Sequence, residues 1–186
     1  MQSLVAAVVT AAALSTPRPD SAHVRTMDAM AAAALDRGRR GSRTFERLVQ
    51  QLERSRVLVY VETSTRMRAA MGGQLVFGAL GGDGTPYLRI RLNARADVID
   101  LTARLAHELQ HAAEVVRGGV RSDAEMARLY RAIGTEFEPS IFETRAARTV
   151  QARVTEELFA RRVPEVEAAC PWSGRIRSAG AMFEQR

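Results

Sequence analysis

The stretch DVIDLTARLAHELQHAAEVVR, residues 97–117, decides how this chain reads. Leu101, Leu105, Leu109 and Val116 recur at helical spacing, Asp97 is suited to be an N-cap, and Gly118-Gly119 supplies a stop, so a helix is predicted over 97–117. Inside it stand His107-Glu108-Leu109-Gln110-His111. Histidines four apart lie one above the other on a helix, so both imidazoles can reach a single metal ion. His107, His111 and Glu114 fall on a different face from the leucines, so the helix is anchored by its apolar stripe and presents its histidines elsewhere. Glu108 points towards the same cavity, where it can take a proton from water at the metal. Metal-dependent hydrolysis, with zinc as the expected ion, is therefore the leading expectation. The competing reading is a surface helix with two incidental histidines, buttressed by Glu108 or Glu114.

On the N-terminal side of this helix the hydrophobic period changes from helical to alternating. Val57-Leu58-Val59-Tyr60-Val61 is rich in β-branched residues, and Gln74 to Leu80 is a second strand candidate. After the turn sequence Gly81-Gly82-Asp83-Gly84-Thr85-Pro86, Leu88, Ile90 and Leu92 alternate with Tyr87, Arg89 and Arg91, which predicts a strand with one covered and one wet face. A small antiparallel sheet of about three strands is expected. Helices are predicted over Met27–Leu35 (ending near Gly38 and Gly41), Arg43–Arg54, Asp123–Ile133 and Ser140 to about Arg161, the last stopped before Pro164. Residues 16–25, with Pro17 and Pro19, read as an exposed linker in which His23 is solvated. The fold class expected is α+β, with residues 23–186 as one domain.

Two histidines do not complete a catalytic zinc site. A third protein ligand is needed, with the fourth position left for water. A metzincin would have glycine at 114 and histidine at 117, but Glu114 and Arg117 stand there and no histidine follows His111. The third ligand must then be a carboxylate. Glu143 is the choice: on a helix opening near Ser140 it would share the inward face of Ala147, Val150, Val154 and Leu158, and a buried charge needs a partner. The alternative is that Ser140-Ile141-Phe142-Glu143 forms a capping box and Glu143 only satisfies the helix N-terminus. Glu114, one turn beyond His111, is better suited to support it, and Glu136, Glu138 and Asp123 are further candidates.

With these residues in place, the chain resembles a zincin metallopeptidase of the gluzincin type, in which an HExxH helix is joined by a glutamate from a later helix. The resemblance covers roughly residues 57–160. It implies zinc held by His107, His111 and Glu143, Glu108 as general base in peptide-bond hydrolysis, and a small sheet packed on the active-site helix. It also implies an edge strand, near Tyr87–Leu92 or Gln74–Leu80, that pairs with extended peptide or protein substrate. Tyr130 is a candidate second electrophile for the oxyanion, or simply a helical tyrosine packed on the core.

Composition sets the remaining bounds. All 27 basic residues are arginine, against 21 acidic ones, for a net charge of +6. The arginines are scattered and often sit three or four residues from acids, and no basic run is interleaved with aromatics, so nucleic acid is not an expected partner. The single cysteine, Cys170, excludes an intramolecular disulfide. Leu4 to Leu14 is apolar and followed by Ser15, Thr16 and Pro17, which resembles a secretory signal peptide within residues 1–22, although no basic residue precedes Arg18. The segment is too short for a stable membrane span. A secreted or periplasmic protein is expected, or a cytoplasmic one if residues 1–15 form a structural helix. A non-catalytic zincin-like binding protein with a structural or vestigial zinc is the alternative function. The intact Glu108 argues against it, since a structural site has no use for a base.

Overall fold

The computed structural model describes residues 22–68, 70–138 and 141–161. In chain order the elements are β1 (Val24–Thr26), α1 (Ala29–Gly41), α2 (Arg43–Glu53), β2 (Leu58–Ser64), β3 (Gly73–Leu80), β4 (Pro86–Asn93), α3 (Val98–Arg117), α4 (Asp123–Ile133), β5 (Thr135–Glu138), β6 (Ile141–Glu143) and α5 (Arg145–Ala160). The architecture is α+β: the described residues form five helices, a four-stranded sheet of order β1-β2-β4-β3, and a separate β5-β6 pair. The signal-like stretch up to residue 21 and the tail from 162, with Cys170, lie outside the described residues.

The sheet is mixed, not antiparallel. β2 runs parallel to both β1 and β4, and only β3 is antiparallel, to β4. The expectation assumed that neighbours in sequence pair as neighbours in space. Instead the chain crosses from β2 to the outer edge as β3 and returns through a tight turn to insert β4 between them. The fourth strand, β1, falls where a linker was expected. Val24 is buried there, and three residues are too few to carry a period from which a strand could be read. His23 is likewise half-buried, its N–H donating to Glu53 Oε2 at 2.7 Å.

Val59, Val61, Leu88, Ile90 and Leu92 turn one sheet face to the helices and are almost fully buried. Tyr60, Glu62, Arg89 and Arg91 take the other face, where Arg91 Nε donates to Glu62 Oε1 at 2.7 Å. Against the covered face lies α3, the central helix. Leu101, Leu105 and Leu109 are at most 1 % exposed, each contributing about 1.5–3 kcal/mol. Ala103, Ala106, Ala112 and Ala113 are also buried, and their small side chains let α1 and α5 pack close to α3. The helix starts as expected, with Asp97 Oδ1 accepting from the Ile99 and Asp100 amides at 2.8 and 3.1 Å.

Two helix starts differ from expectation. The first helix begins at Ala29 under the Asp28 cap, not at Met27, and ends at Gly41 as expected; Gly38 admits the Phe45 ring, since a Cβ there would lie 2.6 Å from it. The Asp28 carboxylate also accepts from the Thr63 amide and hydroxyl, tying α1 to β2. The last helix starts at Arg145, not near Ser140. Thr144 is its N-cap, accepting from the Ala147 amide at 3.1 Å, while Ile141–Glu143 form a strand paired with β5. Ser140 lies outside the described residues. The helical stripe Ala147, Val154 and Leu158 is nevertheless buried. Among the described residues no helix is long and apolar enough to cross a membrane.

Candidate metal centre

α3 brings His107, Glu108 and His111 to the floor of a cleft of about 510 Å³. Its walls are the start of β3 on one side and α4 with the β5-β6 pair on the other. Pairing with β5 turns the β6 segment back over α3, so Glu143 enters from above. Glu143 Oε1 lies 2.8 Å from His107 Nε2 and 3.7 Å from His111 Nε2. One nitrogen of each histidine and one oxygen of Glu143 all fall within 4.8 Å of one another. Glu143 thus reaches both histidines, from a strand, not from the inward face of a helix.

These three side chains could hold a metal ion. A tetrahedral ion with bonds of about 2.0–2.1 Å spaces its ligand atoms about 3.4 Å apart, and the distances of 2.8 and 3.7 Å bracket that spacing. The tautomers fit as well. His111 Nδ1 faces Glu114 Oε2 at 3.0 Å, which leaves Nε2 aimed at Glu143. Glu114 Oε1 in turn accepts from the Thr144 hydroxyl at 2.9 Å. A buried carboxylate therefore links one histidine to the residue next to Glu143. This matches the supporting position expected for Glu114 and shows Thr144 as a partner the sequence did not reveal, since nothing in a lone Glu-Thr pair marks a contact 30 residues back.

Charge is balanced tightly. Burial opposes a proton on His111, but hydrogen bonds to Glu114 and Glu143 and the nearby Glu108 outweigh it and raise its pKa to about 9. Burial and the charge on His111 push His107 down. Its Nδ1 is buried with no hydrogen-bond partner among the described residues. Glu143 is lowered because bonding to His111 and the charge on both histidines outweigh its burial. The Glu108 carboxyl, 6 % exposed, is pushed up to about 7 by burial.

Glu108 is held by β3. A Cβ at Gly73 would fall 2.6 Å from Glu108 Oε1, so only glycine fits at that point, and the Leu75 N–H faces the carboxyl. Among the described residues β3 is one of the two edge strands of the sheet. The Asn93 amide donates to the Gly72 carbonyl at 3.0 Å, so by antiparallel alternation Gly73 and Leu75 turn their N–H and C=O groups away from β4 and into the cleft.

Tyr130 lines the cleft edge-on to His111, with ring centroids 5.2 Å apart. Its hydroxyl donates to the His111 carbonyl at 3.0 Å, and burial raises its pKa. Phe142 stacks on its far side. Of the other carboxylates, Glu138 lines the cleft but pairs with Arg68 at 2.9 Å, and Asp123 is exposed in the first turn of α4.

Comparison of the chain with family models, with curated proteins and with solved structures finds no match.

Proposed function

We propose that this chain is a zinc-dependent metallopeptidase of zincin type, close to the gluzincins. The observation that carries the reading is the convergence of Glu143 on both histidines of the HExxH helix, beside a buried Glu108. Two imidazoles and one carboxylate form a donor set suited to catalytic zinc, because they leave one position open. His107, His111 and Glu143 would hold the ion, which would supply Lewis acidity towards an attacking water and the scissile carbonyl.

The remaining work falls to this chain's own groups. Glu108 takes a proton on its carboxylate from the attacking water and delivers it to the leaving amine. A pKa near 7 suits both directions of that transfer. The Leu75 N–H and the close approach of Gly73 hold the carboxylate in one orientation. The Gly73 edge groups and the Leu75 carbonyl can add an extended peptide as a further strand, which would align its carbonyl over the histidines. Glu114 fixes the His111 tautomer. Tyr130 could meet an oxyanion only by leaving the His111 carbonyl, so its part in this proposal is to brace His111. Export directed by the signal-like N-terminal stretch belongs to the same proposal.

The test is hydrolysis of a mixed peptide pool by the zinc-loaded chain, with Glu108→Gln alongside. Cleavage by the parent and none by the variant, with zinc retained in both, supports the reading. Equal cleavage by both, or none by the parent, overturns it.

A further inference from the structure

Two arginines line the cleft, and the metal trio does not account for them. Arg104 stands one helical turn before His107 on α3 and lines the cleft. Its Nε is held by Asp100 at 2.8 Å, which aims the rest of the guanidinium across the start of β3. There it lies so close over Gly72 that a Cβ at that residue would fall 1.6 Å from Nη1. Arg148 reaches the same cleft from α5, one turn after the Thr144 cap, and its side chain is exposed. Three acids line the cleft, and none is available to neutralise it. Glu143 faces the histidines, Glu108 is buried under Gly73, and Glu138 pairs with Arg68. Among the described residues no carboxylate pairs with Arg148. Two guanidinium groups therefore line the cleft that a peptide added to the β3 edge would enter. A planar, permanently charged fork is suited to a carboxylate.

We infer that Arg104 and Arg148 form a carboxylate-recognition subsite, which makes the substrate a peptide bearing an acidic side chain or a free C-terminus near the scissile bond. The inference rests on the peptidase reading above, and its test is a binding measurement that does not need turnover.

Three fluorescent peptides of one length are titrated against the full chain carrying Glu108→Gln and loaded with zinc. One has an internal glutamate and an amidated terminus, the second has glutamine instead, and the third is the glutamine peptide with a free C-terminus. At least one carboxylate-bearing peptide should bind about tenfold more tightly than the uncharged one, the size of one partly solvated charge-assisted contact. Which peptide gains tells side chain from terminus. Adding Arg148→Gln, or Arg104→Gln, should erase most of the preference, whereas Arg47→Gln, on α2 outside the cleft, should leave it. Arg148 makes no ion pair among the described residues, so its replacement should leave the thermal melt unchanged.

Equal binding of all three peptides, binding of none, survival of the preference in both cleft variants, or equal erosion by Arg47→Gln would each overturn the inference. If the parent chain cleaves the uncharged peptide as readily as the others, the subsite falls and the peptidase reading stands. If the parent cleaves nothing, the peptidase reading falls, and the titration still decides the subsite.

Discussion

Glu114 is the residue at which fold and metal centre should be most tightly coupled. Its carboxylate is 5 % exposed and faces His111 Nδ1 at 3.0 Å, the Thr144 hydroxyl at 2.9 Å and the Gln110 amide at 3.4 Å. Glu114→Ala strands the first two groups in a water-poor pocket, at roughly 1–3 kcal/mol for each buried group left unpaired. The Thr144 hydroxyl keeps its bond from the Ala147 amide, and the Gln110 contact is long, so the expected loss is about 2–4 kcal/mol, towards the lower end. Glu114→Gln keeps the volume and one acceptor oxygen and should lose only about 1–2 kcal/mol. Glu114→Ala frees the His111 ring, so zinc affinity should fall about 10- to 100-fold, as it does when the partner of a ligating histidine is removed. Urea unfolding read by circular dichroism gives the first quantity, and competition with a chromophoric chelator gives the second. An alanine variant within about 0.5 kcal/mol of the parent, with unchanged zinc affinity, would refute the claim that Glu114 joins His111 to the segment carrying Glu143.

Other outcomes follow from the same contacts. Gly73→Ala drives a methyl group into Glu108 and should lower kcat about a hundredfold while zinc content stays at the parent level, as peptide hydrolysis and elemental analysis would show. Asp28→Ala removes the cap of α1 and its tie to Thr63 and should cost about 1–2 kcal/mol in urea unfolding. The Glu157 carboxyl is held below its ordinary value of 4.5, because hydrogen bonds from Ser42 and Thr44 outweigh its burial. Its contribution to stability is therefore complete above that value and lost as pH falls through the lower folded-state one, so Glu157→Gln should flatten the acid limb of a stability-versus-pH curve. His111 is shifted the other way, to about 9, and zinc must displace its proton. Zinc affinity should therefore rise about tenfold per pH unit from pH 7 towards 9, and an affinity independent of pH over that range would contradict the assignment of His111 as ligand.

How much of this could be read in advance depended on whether the signal was local. α3 was legible because its leucine spacing, its Asp97 cap and its glycine stop all agree. The strands near 58–64, 73–80 and 86–93 were legible from β-branched and alternating residues, but their order was not. Nothing within a strand states which neighbour it meets, and the parallel pairing of β2 with β4 depends on β3 taking the outer edge. Glu143 was chosen for a helical face it does not occupy. Ile141 and Phe142 are drawn into a strand by β5 and by Tyr130, two contacts made by tertiary structure, and that strand is what turns Glu143 towards the histidines. Gly73 gave no sign of its role, because a glycine required by a side chain 35 positions further along the chain looks like any other.

The central claim is that His107, His111 and Glu143 hold one zinc ion. Its most direct test is elemental analysis of the full chain after exposure to zinc and exhaustive dialysis, with His107→Ala and Glu143→Ala treated identically. About one zinc per parent chain is expected, and essentially none in either variant. A parent chain that retains no zinc, or variants that retain as much as the parent, would contradict it.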